Sequence, residues 1–184
     1  MQRVGGNGLM VIYLVCLAVV GGVLALDLIT KSLAVTYDFN FVVIEKLVKF
    51  KLAYNTGAAF SFLSDKDWAQ TFFIILTFIV LLFIVGFFVY KIIKKQKISK
   101  WLAISLSLAF SGAIGNLIDR LAFSKVRDFI LLFYDTQIFP AIFNVADIAL
   151  VVGVIMICVY LVFLDKDAIF RKKEENSEQT DDNG

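Results

Sequence analysis

The sequence predicts a mainly α-helical integral membrane protein, a bundle of four transmembrane helices with a small β-sheet on its outer surface. Three observations support this fold class. Hydrophobic residues make up 60% of the 184 residues and charged residues only 18%, which is more apolar surface than a soluble domain of this length buries. Four segments provide the roughly 20 apolar residues that cross about 30 Å of hydrocarbon. Two further segments have the pattern of strands and are too short to span.

The four apolar segments are predicted to be the transmembrane helices. They comprise residues 9–26, 68–90, 101–118 and a last segment that begins near Ile138, ends near Leu164 and is interrupted only by Asp147. The first segment is longer than the roughly 7–15 apolar residues of a secretory signal peptide. It ends at Asp27 and not at a cleavage site of small residues. We therefore predict that it is retained as a membrane helix.

Basic residues predict the orientation of the bundle. The link 91–100 contains five lysines and no acidic residue, and four more basic residues follow the fourth segment. Because basic residues concentrate in cytoplasmic loops, this link and both termini are predicted to be cytoplasmic, and the other two links extracytoplasmic. Residues 1–165 are predicted to form one membrane domain, and residues 166–184 a polar, disordered cytoplasmic tail.

Both outer links contain predicted strands. Residues 41–54 are rich in β-branched and aromatic side chains, and Phe50, Leu52 and Tyr54 alternate with Lys49 and Lys51. This period of two is typical of a strand with one face on lipid headgroups or on protein. Residues 126–134 have a similar composition. The sequence thus predicts a small sheet that rests on the outer membrane surface.

The residue types present exclude several kinds of chemistry. The chain has no histidine, and its two cysteines, Cys16 and Cys158, lie far apart in apolar segments. Ser-His pairs, Cys-His pairs and most zinc sites are therefore excluded, and the scattered carboxylates do not indicate a metal cage. The net charge of +2 does not indicate a polyanionic partner. We predict no cofactor, and any hydrolysis must use carboxylates or a Ser/Lys pair.

Polar residues at the outer ends of the apolar segments are the candidate functional residues, because ionisable groups at membrane depth are costly. Asp27 and Lys31 are four residues apart, so they can pair on one face of a continuing helix. A salt bridge at a helix end would also explain them. Asn55 and Gly57 suit a tight turn with backbone at positive φ, and a turn alone is the alternative interpretation.

The third segment and two downstream aspartates supply the remaining candidates. Gly112, Asn116 and Arg120 are spaced four apart and share a helix face. Close helix packing explains the glycine but not the polar side chains. Asp128 and Asp147 are 19 residues apart and lie near the same predicted membrane level. Each could simply cap a helix, but two carboxylates at one depth form a candidate catalytic pair.

Five short motifs follow one another along the chain, namely DLITK, NTGAAFS, GNLIDR, VRDFI and FNVAD. Together they resemble the motifs of the lipoprotein signal peptidases (signal peptidase II), a family of membrane aspartic peptidases, and the resemblance covers residues 9–164. It implies a four-helix bundle with a β-cradle and a short helix on the outer side. It also implies that Asp128 and Asp147 are catalytic and that they are supported by Asp27, Lys31, Asn55, Gly57, Asn116, Arg120 and Asn144. We assign Asp119, in the third motif, a structural role instead.

The resemblance further implies a reaction and a location. The family removes signal peptides from diacylglyceryl-modified prolipoproteins and cuts just before the lipidated cysteine. The expected partners are therefore prolipoproteins and membrane lipid, without nucleic acid, and the expected enzyme is a monomer without metal or cofactor. The expected location is the bacterial inner membrane, with both termini cytoplasmic and the active site at the extracytoplasmic face.

Two residues depart from the pattern of the family. Leu28 stands where a glutamine is usual, and Arg127 stands where an apolar residue is commoner. Because side chains alternate along a strand, Arg127 is predicted to point away from the face that carries Asp128. The departures therefore concern substrate preference more than activity.

Three other functions are compatible with parts of the sequence. A small transporter or proton relay also places carboxylates and a lysine in a bundle, although usually near the midplane at broken helices. A Ser/Lys peptidase could use Lys31 with Ser32 or Lys125 with Ser124, but adjacent side chains point apart. A structural scaffold would lose no cleavage activity when Asp128 is neutralised.

Overall fold

The computed structural model describes residues 6–57, 68–136 and 141–164. The predicted polar tail and the predicted helix start near Ile138 lie outside these ranges. In chain order the elements are α1 (Gly6–Thr36), β1 (Asn40–Ile44), β2 (Val48–Asn55), α2 (Ala69–Ile93), α3 (Lys100–Phe123), β3 (Val126–Leu132), β4 (Ala141–Phe143) and α4 (Val145–Val159), which continues as a π-helical turn (Tyr160–Leu164).

Four helices in the described residues are long and apolar enough to cross a membrane, as predicted. Two of their boundaries differ from the prediction by more than the others do. The first helix continues about ten residues beyond Leu26 and ends at Thr36, so that Asp27 and Lys31 lie within it. The fourth helix begins only at Val145, because the apolar residues Ala141–Phe143 before it form strand β4.

Helix α3 lies at the centre of the bundle and packs against the other three helices. Its buried face consists mainly of small residues, which allow close approach of neighbouring backbones. At Gly112 a Cβ would overlap the carbonyl oxygen of Ala146 in α4. At Gly153 of α4 a Cβ would lie 2.6 Å from the backbone nitrogen of Ala109 in α3. The α3–α4 contact therefore depends on glycine in both helices.

The four strands form one antiparallel sheet in the order β1-β2-β3-β4. The predicted single strand 41–54 is instead a hairpin, in which Lys46 has a φ of 59° and lies in the turn between β1 and β2. Phe39, Phe50 and Phe129 pack together, with ring centroids about 6 Å apart. This aromatic contact joins the end of α1 to β2 and β3.

The sheet places polar residues beside one end of the helix bundle. Ala53 of β2 pairs with Asp128 of β3, and Ile130 of β3 pairs with Phe143 of β4. β2 ends at Asn55, and β4 ends directly before Asn144, where α4 begins. The short outer helix implied by the family resemblance is not among the elements of the described residues, and residues 58–67 lie outside them.

Candidate active site

Asp128 and Asp147 come together around one residue, Asn144. The Asn144 side-chain Nδ2 donates to Asp128 Oδ1 at 2.7 Å, and its backbone N–H donates to Asp147 Oδ2 at 3.0 Å. Asp128 is 1% exposed and Asn144 is completely buried. The structure therefore brings the two predicted carboxylates into one site and connects them through a single asparagine.

Asp147 is held by the geometry of a helix N-terminus. Asn144 is the N-cap of α4, and its Oδ1 accepts from the backbone N–H of Asp147 at 3.0 Å. Together with the bond from the Asn144 N–H to Asp147, this forms a capping box. The helix dipole also favours a negative charge in the first turn. Helix capping, which was an alternative to a catalytic role for Asp147, is thus an observed feature of the site.

Two more asparagines donate to the remaining carboxylate oxygens. Asn55 Nδ2 donates to Asp128 Oδ2 at 3.1 Å, and Asn116 Nδ2 donates to Asp147 Oδ1 at 2.7 Å. Each of the four carboxylate oxygens therefore accepts one hydrogen bond from an amide group. Because amides carry no charge, they fix the orientation of both carboxyl groups without neutralising them.

The predicted turn at Asn55 is present, but its backbone conformation is not the predicted one. The Gly57 N–H donates to Asn55 Oδ1 at 2.9 Å, which closes a turn of the type that asparagine favours. None of the described glycines has a positive φ, so the expectation of positive φ at Gly57 is wrong. The carbonyl of Gly57 accepts from Arg120 Nη2 at 3.1 Å, and the Arg120 guanidinium lies 5.3 Å from the ring centre of Phe73.

A buried ion cluster lies behind the carboxylates. Lys31 Nζ is 2.8 Å from Asp27 Oδ2 and 3.5 Å from Asp119 Oδ2, and all three side chains are almost completely buried. Lys31 also donates to Asn116 Oδ1 at 3.1 Å, and Asn116 in turn donates to Asp147. The predicted pairing of Asp27 with Lys31 is confirmed, and its burial connects it to the site.

Asp27 additionally ties the first helix to the last. Its Oδ1 accepts from the backbone N–H of Ala146, in the first turn of α4, at 2.9 Å. At Gly115 of α3 a Cβ would lie only 2.6 Å from Asp27 Oδ2. The glycine of the GNLIDR motif therefore leaves the room that the Asp27 carboxylate occupies.

Asp119, to which we assigned a structural role, is bound by Arg127. The Arg127 side chain points away from the carboxylate pair, as the alternation of strand β3 predicted, and its Nη2 lies 2.6 Å from Asp119 Oδ1. The partner itself was not predicted. The two residues are eight apart across the turn from α3 to β3, and no periodic pattern indicates such a contact.

The surroundings raise the pKa of Asp128. Burial of the side chain is the largest cause and the nearby negative charge of Asp147 the second, while hydrogen bonds from Asn55 and Asn144 and the charge of Lys31 act in the opposite direction. The pKa of Asp128 reaches about 7. A carboxyl group that holds a proton near neutral pH suits acid–base catalysis.

Both carboxylates face a cavity of about 670 Å³. Its polar lining is Asn55, Asn116, Arg120 and the two aspartates, and the rest is mainly apolar. The apolar side chains come from α2, α3, β4 and α4 and include Phe73, Leu76, Val80, Ala113, Ile142, Phe143, Ile148, Val151 and Val152. The carboxylates thus lie beside a mainly apolar cavity wall. Phe73, Leu76 and Val80 were not predicted as site residues, because in the sequence they are ordinary members of an apolar segment.

The geometry does not support a Ser/Lys dyad at the two predicted positions. Lys31 is buried in the ion cluster, whereas the neighbouring Ser32 is exposed. The ammonium of Lys125 lies 3.8 Å from the ring centre of Tyr54, and Ser124 is exposed. Within the described parts of the chain, no group of three acidic, cysteine or histidine side chains could hold a metal ion.

Comparison with known proteins gives consistent matches. The family model of the A8 peptidases, signal peptidase II, matches residues 19–163. The lipoprotein signal peptidase of Pseudomonas aeruginosa is 41% identical over 119 residues, which cover 64% of this chain and 68% of the relative. That of Pseudomonas putida is 38% identical over 139 residues, which cover 73% and 79%. A solved bacterial membrane enzyme superposes with a TM-score of 0.68 at 35% identity and covers 80% of this chain and 87% of its own.

Proposed function

Because the chain belongs to the signal peptidase II family, the membrane peptidases that remove signal peptides from prolipoproteins, we propose that Asp128 and Asp147 are its catalytic pair. The observation that carries this proposal is the double contact of Asn144, which holds both carboxyl groups at one cavity. Because this family consists of peptidases, its match excludes the transporter and scaffold interpretations.

The proposed mechanism needs one proton on the pair. Two carboxylates that share a site resist full ionisation because each charge opposes the other, so the pair keeps one proton to a higher pH than a lone carboxyl group would. The ionised carboxylate accepts a proton from a water molecule, which attacks the scissile carbonyl carbon. The protonated carboxyl group hydrogen-bonds the developing oxyanion and then a proton passes to the leaving nitrogen. The asparagines hold both groups in place during these transfers.

The supporting residues act through the two aspartates or through the cavity. Asn55, Asn116 and Asn144 orient the carboxyl groups, and Lys31 with Asp27 holds Asn116 and the start of α4. Arg120 lies in the cavity beside the aspartates and binds the Gly57 carbonyl. In this position it can bind a carbonyl of the substrate backbone.

We also propose that the substrate cysteine carries a diacylglyceryl group, whose chains lie along the apolar wall of the cavity. Phe73, Leu76 and Val80 of α2 face Ile148 and Val151 of α4 across this cavity. Burial of acyl chains there is favourable by roughly 0.8 kcal/mol for each methylene group. The bound lipid then places the peptide bond before the cysteine at the aspartates. We also propose, as the family resemblance implies, that the enzyme acts as a monomer.

The proposed orientation places the site at the extracytoplasmic face. The sheet and the aspartates lie at one end of α3, where β3 begins, and the lysine-rich link lies at its other end, before Lys100. Since lysine-rich links stay in the cytoplasm, the catalytic pair faces outward and both termini are cytoplasmic.

Cleavage assays on four proteins test the catalytic pair. The wild type, Asp128→Asn, Asp147→Asn and a control, Asp135→Asn, are purified in detergent and given a prolipoprotein with or without its diacylglyceryl group. Asp135 is an exposed aspartate just after β3, so its variant makes the same chemical change outside the site. We expect the wild type and the control to cut only the lipidated substrate, and the two site variants to lose about a thousandfold or more in rate.

Two results would contradict the proposal. Near-wild-type cleavage by either folded site variant would exclude that residue from the catalytic pair. Equal cleavage of the lipidated and unlipidated substrates would exclude the lipid-binding role of the cavity, while leaving the pair intact.

A further inference from the structure

Arg127, the residue before the proposed catalytic Asp128, makes an extensive side-chain contact with Asp119. Its Nη2 lies 2.6 Å from Asp119 Oδ1, and its Nε lies 3.2 Å from Oδ2 and 3.3 Å from Oδ1. Its backbone N–H also donates to Asp119 Oδ2 at 2.9 Å. A planar guanidinium that meets both oxygens of a carboxylate forms one of the strongest and most directional ion pairs.

This ion pair joins two elements of the site. Asp119 lies near the end of α3 and is completely buried, while the Arg127 side chain is 13% exposed. The Arg127 guanidinium also lies 4.8 Å from the ring centre of Phe123 in the last turn of α3. Backbone and side chain of Arg127 together fix the start of β3 on α3. The next residue of the strand is Asp128.

The formal charges of the buried cluster balance only when Arg127 is included. Asp27, Lys31 and Asp119 are almost completely buried, and with all three ionised their sum is −1. Arg127 brings the sum to zero. An unbalanced charge at such depth is costly, and Lys31 contacts both carboxylates of the group.

Lys31 connects this balance to the other catalytic aspartate. Its ammonium is 2.8 Å from Asp27 but 3.5 Å from Asp119, and it donates to Asn116, which donates to Asp147. The guanidinium of Arg127 binds both oxygens of the same Asp119 carboxylate. Lys31 can therefore remain directed at Asp27 and Asn116.

We propose that Arg127 is a positioning residue for the cleavage reaction, which anchors the strand of Asp128 on α3 and balances Asp119 so that Lys31 keeps its place behind the catalytic pair. The inference rests on the catalytic pair proposed above.

The charge balance has a consequence for pH dependence. The charges of Lys31 and Asp147 act on Asp128. Arg120 interacts with Asp119, Asp128 and Asp147, and Lys31 also contacts Asp27 and Asp119. Loss of the Arg127 charge leaves one uncompensated negative charge in this group. A negative charge favours the protonated form of a carboxyl group, so the activity of the variant persists to higher pH than that of the wild type.

Four variants separate the two parts of the proposal. Arg127→Gln removes both the positive charge and the guanidinium fork, that is, the contact of the Arg127 guanidinium with both oxygens of Asp119. Arg127→Lys keeps the charge. The double variant Asp119→Asn with Arg127→Gln removes one charge of each sign. Lys125→Gln is the control, since it removes a positive charge two residues away on the ring of Tyr54. Each protein is purified in detergent, checked for thermal unfolding, and assayed for kcat and KM on a diacylglyceryl prolipoprotein from pH 5 to 9.

We expect Arg127→Gln to lower kcat about tenfold and to keep KM within about threefold of the wild-type value. We also expect it to move the alkaline limb of the pH profile of kcat up by about half a pH unit. Arg127→Lys should keep the wild-type limb and recover part of kcat, since its ammonium cannot form the fork. The double variant should return the limb to its wild-type position. The control should match the wild type throughout.

The proposal is overturned if Arg127→Gln has wild-type kinetics. It is also overturned if kcat falls while the limb stays fixed, or if the double variant shifts the limb as far as the single one, because a purely structural contact would do this. If Arg127→Gln does not fold, wild-type kcat in Arg127→Lys would likewise contradict the positioning role of the fork. Failure of the catalytic pair is recognised separately, as retained cleavage by Asp128→Asn or Asp147→Asn.

Discussion

Asn144 occupies the position on which the proposed site depends most, because its side chain and its own backbone N–H contact different carboxyl groups. As N-cap it fixes the start of α4, and as a donor it reaches across to Asp128 on β3. Aspartate at this position could cap the helix but could not donate a hydrogen bond from its ionised side chain. Glutamine could donate but would not cap as well. Asparagine is therefore the side chain that fits both tasks.

The raised pKa of Asp128 predicts how cleavage depends on pH. Burial and Asp147 raise the pKa of Asp128 to about 7. Below that pH the pair holds its proton, and above it both carboxyl groups are ionised and no acid remains for the oxyanion. We expect kcat to decrease as the pH rises through about 7, with a slope of one proton, in steady-state assays on a lipidated prolipoprotein. A flat profile between pH 6 and 9 would contradict this assignment.

The same shift has an effect on stability, which does not depend on substrate. The pKa of Asp128 in the folded protein is above the roughly 3.9 of an unfolded aspartate. Below about pH 4 the side chain is protonated in both states, and ionisation does not affect the free energy of unfolding. As the pH rises from there through about 7, the folded state loses stability. Asp128→Asn lacks this titration. The difference in Tm between the variant and the wild type should therefore grow between pH 5 and 8, in favour of the variant.

At the scale of elements, the site is assembled where α3 and α4 approach most closely. Gly112 and Gly115 of α3 lie against the first turn of α4, and Gly115 also lies against Asp27 of α1. The three helices that meet there carry most of the polar residues described above. Small side chains at this crossing are therefore part of the site as well as of the packing.

Replacement of Gly115 by alanine tests this packing. The added Cβ would lie 2.6 Å from Asp27 Oδ2 and 3.0 Å from Ala146 Cβ, so we expect a loss of about 1–3 kcal/mol in stability together with reduced cleavage. Gly21→Ala is the matched control, because a Cβ there has nothing within 4 Å and alanine favours a helix. Thermal unfolding in detergent and the cleavage rate are measured for both variants. Equal behaviour of the two would exclude a packing role for Gly115.

The boundaries of the elements mark the limit of prediction from the sequence. Apolar runs located all four helices, but the charges Asp27 and Lys31 suggested an end to α1, although the two side chains neutralise each other inside the helix. Conversely, the apolar residues before Asn144 resemble the start of a helix, and only their pairing with β3 makes them a strand. In both cases a contact with a distant element decides the structure.

The contacts that complete the site were equally beyond prediction from local patterns. The motifs contain the three asparagines that donate to the two carboxyl groups. The hydrogen bond from the Ala146 N–H to Asp27, however, joins residues 119 apart in the chain. Arg127 was predicted to face away from Asp128, and its pairing with Asp119 depends on the turn that joins α3 to β3. Periodicity shows which side of an element a residue occupies, but not which element faces it.

At the scale of the whole molecule, the two ends of the bundle differ in chemistry. One end carries the sheet, the carboxylates and the aromatic cluster of Phe39, Phe50 and Phe129. The other carries the lysine-rich link between α2 and α3. This polarity supports an enzyme that is inserted in one direction and takes its substrate from one face of the membrane.

Labelling of introduced cysteines tests this orientation. Single cysteines are placed at Glu45, in the turn of the β1–β2 hairpin, and at Lys94, after α2, in a variant in which Cys16 and Cys158 are alanine. Both positions are exposed. We expect a membrane-impermeant maleimide to label Glu45→Cys on intact spheroplasts, and to label Lys94→Cys only after the membrane is permeabilised. The reverse pattern would place the aspartates on the cytoplasmic side.

The hydrogen bond that Asp27 accepts from the Ala146 N–H also has a consequence for the order in which the site forms during synthesis. A ribosome completes α1 long before it reaches the last helix, so Asp27 enters the bilayer when Lys31 is its only partner within that helix. Because the two side chains neutralise each other, the segment can stay in lipid before the Ala146 N–H, its final hydrogen-bond donor, arrives. The proposed catalytic site can form only after the fourth helix has been inserted and has supplied Ala146 and Asp147. A truncated or half-inserted chain therefore lacks the proposed site, and we expect proteolytic activity only from the completely inserted protein.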